Sequence, residues 1–223
     1  MNTLKRYFVG ILLTSILFSS CAGTAEDKLK TGDLIFVGIP MDYSIEEDSM
    51  EKAVVSATGD IDSLNLIHVA IAEVSADTTW IIDATIAHGV DRHPIDTFFT
   101  DFTLKDGSLP VFIVKRLVDP SKADEYVGNA KKYLGLPYDT HFLPDNDSLY
   151  CSELVRDSFV GQDGRHVFDM VPMNFKDSDG EFPLYWKQLF GLLGQSIPQD
   201  VPGTNPQDMS RSKALKTVKV KVL

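Results

Sequence analysis

Cysteine is almost missing from this chain of 223 residues, which carries only Cys21 and Cys151. On arithmetic alone the two can pair, so their positions have to decide. Basic residues are also short: 21 Lys and Arg stand against 32 Asp and Glu, a formal net charge of -11. Phosphate binding needs a basic face, and none is visible, so a nucleic-acid partner is excluded. The surplus of acid otherwise speaks for solubility. No internal repeat, Gly-rich phosphate loop or Gly-x-Ser-x-Gly elbow occurs. One thiol and scattered histidines give no metal-ligand spacing, so no metal and no cofactor is expected. The run Asp145-Asn146-Asp147 resembles the start of a calcium loop. It lacks the glycine at the sixth place, and Arg156 stands where the closing glutamate belongs, so it reads as helix capping.

No apolar run is long enough to cross a bilayer. The longest candidate, Phe8 to Phe18, follows Lys5 and Arg6 and reads as a secretory leader over residues 1–20. Ser19 and Ser20 then lead into Cys21, Ala22 and Gly23, which resembles the lipobox of bacterial lipoproteins; Phe18 departs from the leucine usual there. That resemblance implies lipidation at Cys21, a tether over residues 21–30 and attachment to a membrane of the bacterial cell envelope. The plainer reading is an ordinary secretory signal with a cysteine nearby. If Cys21 is lipidated, Cys151 is the only thiol of the mature protein, in a compartment where unpaired thiols are unusual.

Hydrophobic residues make up 43% of the chain, enough for one sizeable domain over residues 31–223. Residues 33–38 (DLIFVG), 67–74 (IHVAIAEV), 79–84 (TWIIDA), 89–93 and 111–117 (VFIVKRL) read as strands. The short break at Ser75–Asp77 favours a hairpin. Helical character covers residues 45–57, a short stretch opened by Pro94, residues 121–134 capped by Ser121, and residues 184–193. Another helix starts at Asp147 or Ser148 and runs to about Phe159, with Cys151, Leu154, Val155, Ser158 and Phe159 on its inner stripe. Residues 194–212 read as extended, and residues 217–222 as a closing edge strand. Strands mostly precede the larger helices, which predicts an α+β domain.

A thiol attacks as the thiolate, which a helix N-terminus and a neighbouring imidazole favour. The predicted helix puts Cys151 in its first turn. Of the five histidines, His68 lies inside an apolar strand, where an imidazole must be hydrogen-bonded. Asp83 on the next strand either faces it or is its diagonal neighbour, depending on register by one rung, and in both cases can orient the ring. His88 and His93 flank a turn-rich stretch and read as surface residues, as does His141; His166 sits in a polar loop. Taken singly, Cys151 and His68 read as core residues. Together with Asp83 they favour nucleophilic catalysis.

Residues 149–155 (LYCSELV), preceded by residues 136–139 (LPYD), resemble the signature of the YiiX-like permuted papain-like amidases, relatives of the NlpC-type cell-wall peptidases. Residues 31–36 (TGDLIF), 68–71 (HVAI) and 114–117 (VKRL) fit the same pattern. The resemblance implies a circularly permuted papain-like fold, with a central antiparallel sheet packed against helices and histidine preceding cysteine in the chain. It also implies Cys151 as nucleophile, His68 as proton shuttle and Asp83 as orienting residue, where relatives often carry glutamate. Tyr138 and Tyr150 match motif positions that can offer a hydroxyl to the oxyanion or substrate. The implied activity is an amidase or peptidase acting on peptidoglycan-derived or other small peptides. A lipid acyl hydrolase or acyltransferase, and a non-catalytic ligand-binding lipoprotein, are the alternatives.

Overall fold

The computed structural model describes residues 28–40, 43, 45, 49–58 and 64–220. The leader, Cys21 and most of the tether lie outside the described residues. The centre is a six-stranded antiparallel sheet in the order β4-β3-β2-β1-β5-β8. Its strands are β1 (Leu34–Pro40), β2 (Leu64–Val74), β3 (Thr79–Thr85), β4 (Gly89–Pro94), β5 (Val111–Leu117) and the short β8 (Leu215–Thr217). β2, β3 and β4 are linked by short turns, while the helix Met50–Thr58 lies between β1 and β2. β1 closes against β5, so the chain builds the sheet mainly from neighbours in sequence.

Strand alternation divides the apolar residues between two faces. Leu34, Phe36, Val69, Ile71, Ile82 and Ala84 enter one cluster with α3 (Ala123–Ala130) and α4 (Cys151–Ser158). Ile35, Val37, Ala70, Ala72 and Ile81 enter the other, which α2 (Ile95–Asp101) covers with Phe98 and Phe99. A third cluster joins α1 (Met50–Thr58) and α5 (Leu184–Leu193) through Ala53, Trp186 and Phe190, with Phe142, Tyr150, Met173 and Phe175 between them.

One irregularity breaks the alternation. Val37 pairs with His68, but Gly38 pairs with Leu66, so Ile67 is an extra residue in β2. Such a bulge turns the strand over by one step, which is why Leu66 and Val69, an odd number apart, share a cluster. The backbone N–H of Leu66 donates to the Gln207 side chain, 3.3 Å away. Gln207 comes from α6 (Pro206–Ser210), a short helix in the region read as extended. Its start is capped by Asn205, whose side chain accepts the N–H of Asp208, with Pro206 at the first helical position. A two-residue pairing, β6 (Val171–Pro172) with β7 (Pro202–Gly203), sits beside it and was also not foreseen.

Other differences are local. The helix expected from Ser121 begins at Ala123 with Lys122 at its N-cap, makes no side-chain cap bond, and tightens to a 3₁₀ turn at Lys131–Tyr133. Ser121 instead donates its backbone N–H to Asp119. Pro94 occupies the N-cap of α2 and not its first turn. The last strand is shorter and earlier than residues 217–222, and residues 221–223 lie outside the described part.

Candidate active site

α4 starts at Cys151 itself, with Tyr150 at the N-cap. The first intrahelical bond is the N–H of Leu154 to the carbonyl of Tyr150. The amides of residues 151–153 therefore have no acceptor within the helix, as at any helix start. Glu153 stands at the third helical position, where burial raises its carboxyl and the nearby Tyr150 backbone N–H works against that rise. This arrangement puts the thiol at the positive end of the helix dipole.

His68 lies on β2 directly after the bulge, with its ring 4.6 Å from Phe102 and 6.2 Å from Phe98. Asp83 lies on the same face of β3. The β2–β3 register pairs Ile71 with Ile82, so Ala70 faces Asp83 and His68 is the diagonal neighbour. His68 Nε2 is 2.7 Å from Asp83 Oδ2. With Nε2 engaged, Nδ1 remains for Cys151, which is close enough for a side-chain hydrogen bond to the ring. Burial alone lowers the basicity of His68. The negative charge of Cys151 and the bonds to Asp83 and Cys151 outweigh it and raise the ring to about 10. Burial pushes Asp83 upward, and its two histidine partners overcome that and hold it at about 2.

The second of those partners is His93. It was expected at the surface, yet it is 8% exposed and its Nε2 is 3.0 Å from Asp83 Oδ1. On β4 it pairs with Ile81, so it too is diagonal to Asp83. The signal was present in the sequence: counted from Gly89, the strand alternates Val90, Arg92 against Asp91, His93, and His93 shares a parity that reaches the α2 face. The other histidines do not join the site. His88 and His166 are exposed, and His141, also exposed, bonds Gln195.

Tyr138 flanks Cys151 and is held in place by the preceding residues. Gly89, at φ +67°, lets the Leu136 carbonyl approach so closely that a Cβ there would stand 2.3 Å from it. Across the same junction Val90 donates its N–H to the Leu136 carbonyl and accepts the N–H of Gly135. Asp139, fully buried, accepts the N–H groups of His141 and Leu143 and so fixes the loop that follows. Burial first, then the charge of Cys151, keep the Tyr138 hydroxyl protonated well past its ordinary range. Tyr150 contributes its ring, while its hydroxyl accepts the N–H of Thr204 at 3.0 Å. Thr204 also donates to Ser152 at 3.0 Å, so the segment before α6 clips the helix start in place. Sequence reasoning missed Thr204, since nothing in an extended reading of that region brings it to Cys151.

Cys151 and Tyr138 line two neighbouring cavities. One, of about 180 Å³, is lined by His68, Thr85, Ile86 and Phe102. The other, of about 250 Å³, is lined by Phe142, Tyr150, Met173, Phe175 and Trp186 among others, with Asn205 and Asp208 at a polar margin. Met50, Val54 and Ile67 border both.

Residues 16–219 match the family described as permuted papain-like amidase enzyme, YaeF/YiiX, C92 family. The chain belongs to that family. Its members are papain-like cysteine hydrolases, and the α+β fold with a central antiparallel sheet is the fold of that family. It is similar to the uncharacterised protein YiiX of Escherichia coli K12, at 25% identity over 211 residues, covering 93% of this chain and 94% of the relative. A solved structure described as metalloprotein yiiX from Escherichia coli O157:H7 superposes with a TM-score of 0.63 at 24% identity, covering 86% of this chain and 97% of that one. At that identity it speaks to fold alone. Among the described residues no group of three or more His, Cys, Asp or Glu side chains is placed to hold a metal ion. The Nε2 atoms of His68 and His93 both go to Asp83, so as arranged these side chains do not fit one.

Proposed function

We propose that this chain is a cysteine amidase or peptidase in which Cys151 is the nucleophile, His68 the acid–base and Asp83 the residue that orients His68. The observation that carries the reading is the contact of His68 Nε2 with Asp83, with Cys151 at the first residue of α4 on the ring's other side. Cys151 Sγ attacks the amide carbonyl carbon, and the carbonyl oxygen gathers negative charge toward the free amides of the helix start. The C–N bond then breaks as His68 Nδ1 gives its proton to the departing amine, leaving a thioester on Cys151. Water adds to the thioester, His68 takes its proton, and the carboxylic acid departs with the thiol restored. Tyr138, kept as a neutral hydroxyl beside the thiol, is placed to donate to the oxyanion or to substrate; the Tyr150 hydroxyl is turned toward Thr204.

The lipobox-like segment supports attachment through Cys21 in the bacterial envelope, where peptidoglycan-derived peptides are the natural small amides. A specific observation favours the second substrate reading, an apolar acyl group. The amine must leave on the His68 side, so the acyl part retained on sulfur lies toward the larger cavity with its Phe142, Met173, Phe175 and Trp186 walls. Hydrolysis of a panel of p-nitroanilides and p-nitrophenyl esters, from acetyl to octanoyl and including short peptides, separates the two by acyl preference. Cys151→Ala should abolish turnover of every active member while the variant melts like the parent. Turnover retained by that variant refutes the nucleophile, and with it this mechanism.

A further inference from the structure

Three residues on three adjacent strands form one line across the sheet: His93 on β4, Asp83 on β3 and His68 on β2. Each carboxylate oxygen of Asp83 meets one ring, Oδ1 with His93 at 3.0 Å and Oδ2 with His68 at 2.7 Å. Asp83 is 2% exposed, so neither oxygen has water to fall back on. We propose that His93 is a positioning residue of this site, which fixes the Asp83 carboxylate so that Asp83 can fix His68. This inference rests on the proposed roles of His68 and Asp83.

A carboxylate held by one hydrogen bond can swing about its Cβ–Cγ bond. A second donor on the other oxygen stops that rotation and fixes the plane. His93 is itself held. Its ring lies near-parallel to Phe98 at 6.5 Å, and Phe98 packs on Phe102, which lies against His68. Both aromatic side chains come from α2 or its end, so one short helix supports both imidazoles. The two ring nitrogens of His93 face acceptors, Asp83 Oδ1 and the Pro94 carbonyl at 3.4 Å, an arrangement that suits the doubly protonated ring. Consistent with this, Asp83, the Pro94 carbonyl and the nearby Asp91 raise His93 from its ordinary value against the effect of burial. The charged groups around it are thus Asp83 on β3, His68 on β2 and Asp91 on its own strand.

If His93 acts through Asp83, its loss should slow the chemical step and leave substrate binding alone. His93→Phe keeps the bulk against Phe98 and removes the donor. His93→Gln keeps an N–H. On the best p-nitroanilide or p-nitrophenyl substrate of the wild type, His93→Phe should lower kcat about 10- to 100-fold with KM within threefold. His93→Gln should regain most of the loss. In an Asp83→Asn background the Phe change should cost nothing more, because the two act in series. Full additivity with Asp83→Asn, or a kcat for His93→Phe within twofold of wild type, overturns the proposal. A downfield proton resonance for the His68 Nε2–Asp83 bond gives a readout independent of turnover: it should persist in wild type and His93→Gln and weaken or vanish in His93→Phe. Should the wild type hydrolyse nothing, the catalytic reading fails, and an unchanged resonance in His93→Phe refutes the role of His93 separately.

Discussion

Two aspartates of the central sheet make an instructive pair. Asp33, at the entry to β1, and Asp83, on β3, are both buried, and both have each oxygen occupied. The partner of Asp33 is Arg116 on β5, whose Nε and a terminal nitrogen meet the two oxygens at 2.7 and 2.8 Å; the Lys30 backbone N–H adds a third bond. Arg116 also donates to the Lys28 carbonyl, so this fork ties the first described residues to the sheet. A guanidinium stays charged at any ordinary pH and gives up no proton. Asp83 meets two imidazoles, groups that can take up and release a proton, and one of them borders a cavity with Cys151. Burial and paired oxygens are common to both sites. The chemistry of the partner, and the nearness of a thiol, are what separate a structural tie from a candidate active site.

The contrast can be broken from either side. Asp33→Asn removes the carboxylate charge that meets the buried Arg116 fork at two atoms, so it should cost about 3–5 kcal/mol of stability in urea titrations. The folded fraction should keep its turnover per molecule. Asp83→Asn should do the reverse: a loss of a hundredfold or more in kcat/KM, typical of disabling general acid–base action, with a smaller change in unfolding midpoint. Equal effects of both substitutions on turnover would erase the distinction.

Glu153 sharpens the comparison as a third buried carboxyl with neither kind of partner. One of its oxygens has no hydrogen-bond partner, and burial, then the charges of Asp139 and Asp157, raise it to about 8. The folded state therefore holds its proton more tightly than the unfolded chain. The stability it contributes is full below its ordinary value of 4.5 and is lost as pH rises toward 8. Glu153→Gln should flatten that fall, raising stability at pH 9 relative to pH 5 by at least about 1.4 kcal/mol, the worth of one unit. Thermal melts at the two pH values measure it. At the small end, His88→Ala should change neither turnover nor stability beyond about 0.5 kcal/mol, since His88 is exposed and outside the site.

Much of this was legible in the residues. Alternating apolar strands located β2, β3 and β5, and the apolar stripe after Cys151 located α4, although the helix begins at Cys151 and not at Asp147 or Ser148. The His68–Asp83 contact followed from parity across one hairpin, and the diagonal register kept the two on one face. The bulge at Ile67 was not legible, because a one-residue slip leaves no mark in an apolar run. Nor were Gln207 and Thr204: they reach β2 and α4 from some 140 and 50 residues away, and only the packed chain brings them there. His93 was misplaced because its neighbour Asp91 and the Gly89 turn made the strand look like surface, while one face of a two-sided sheet is buried along its length.

The central claim is that His68, held by Asp83, activates Cys151. It is tested most directly by alkylating the protein with iodoacetamide at pH 5.5, in wild type and in His68→Ala, and mapping the adduct by mass to the Cys151 peptide. The wild type should react at Cys151 at least tenfold faster than the variant. Equal rates in the two would show that Cys151 owes nothing to His68, and would contradict the account.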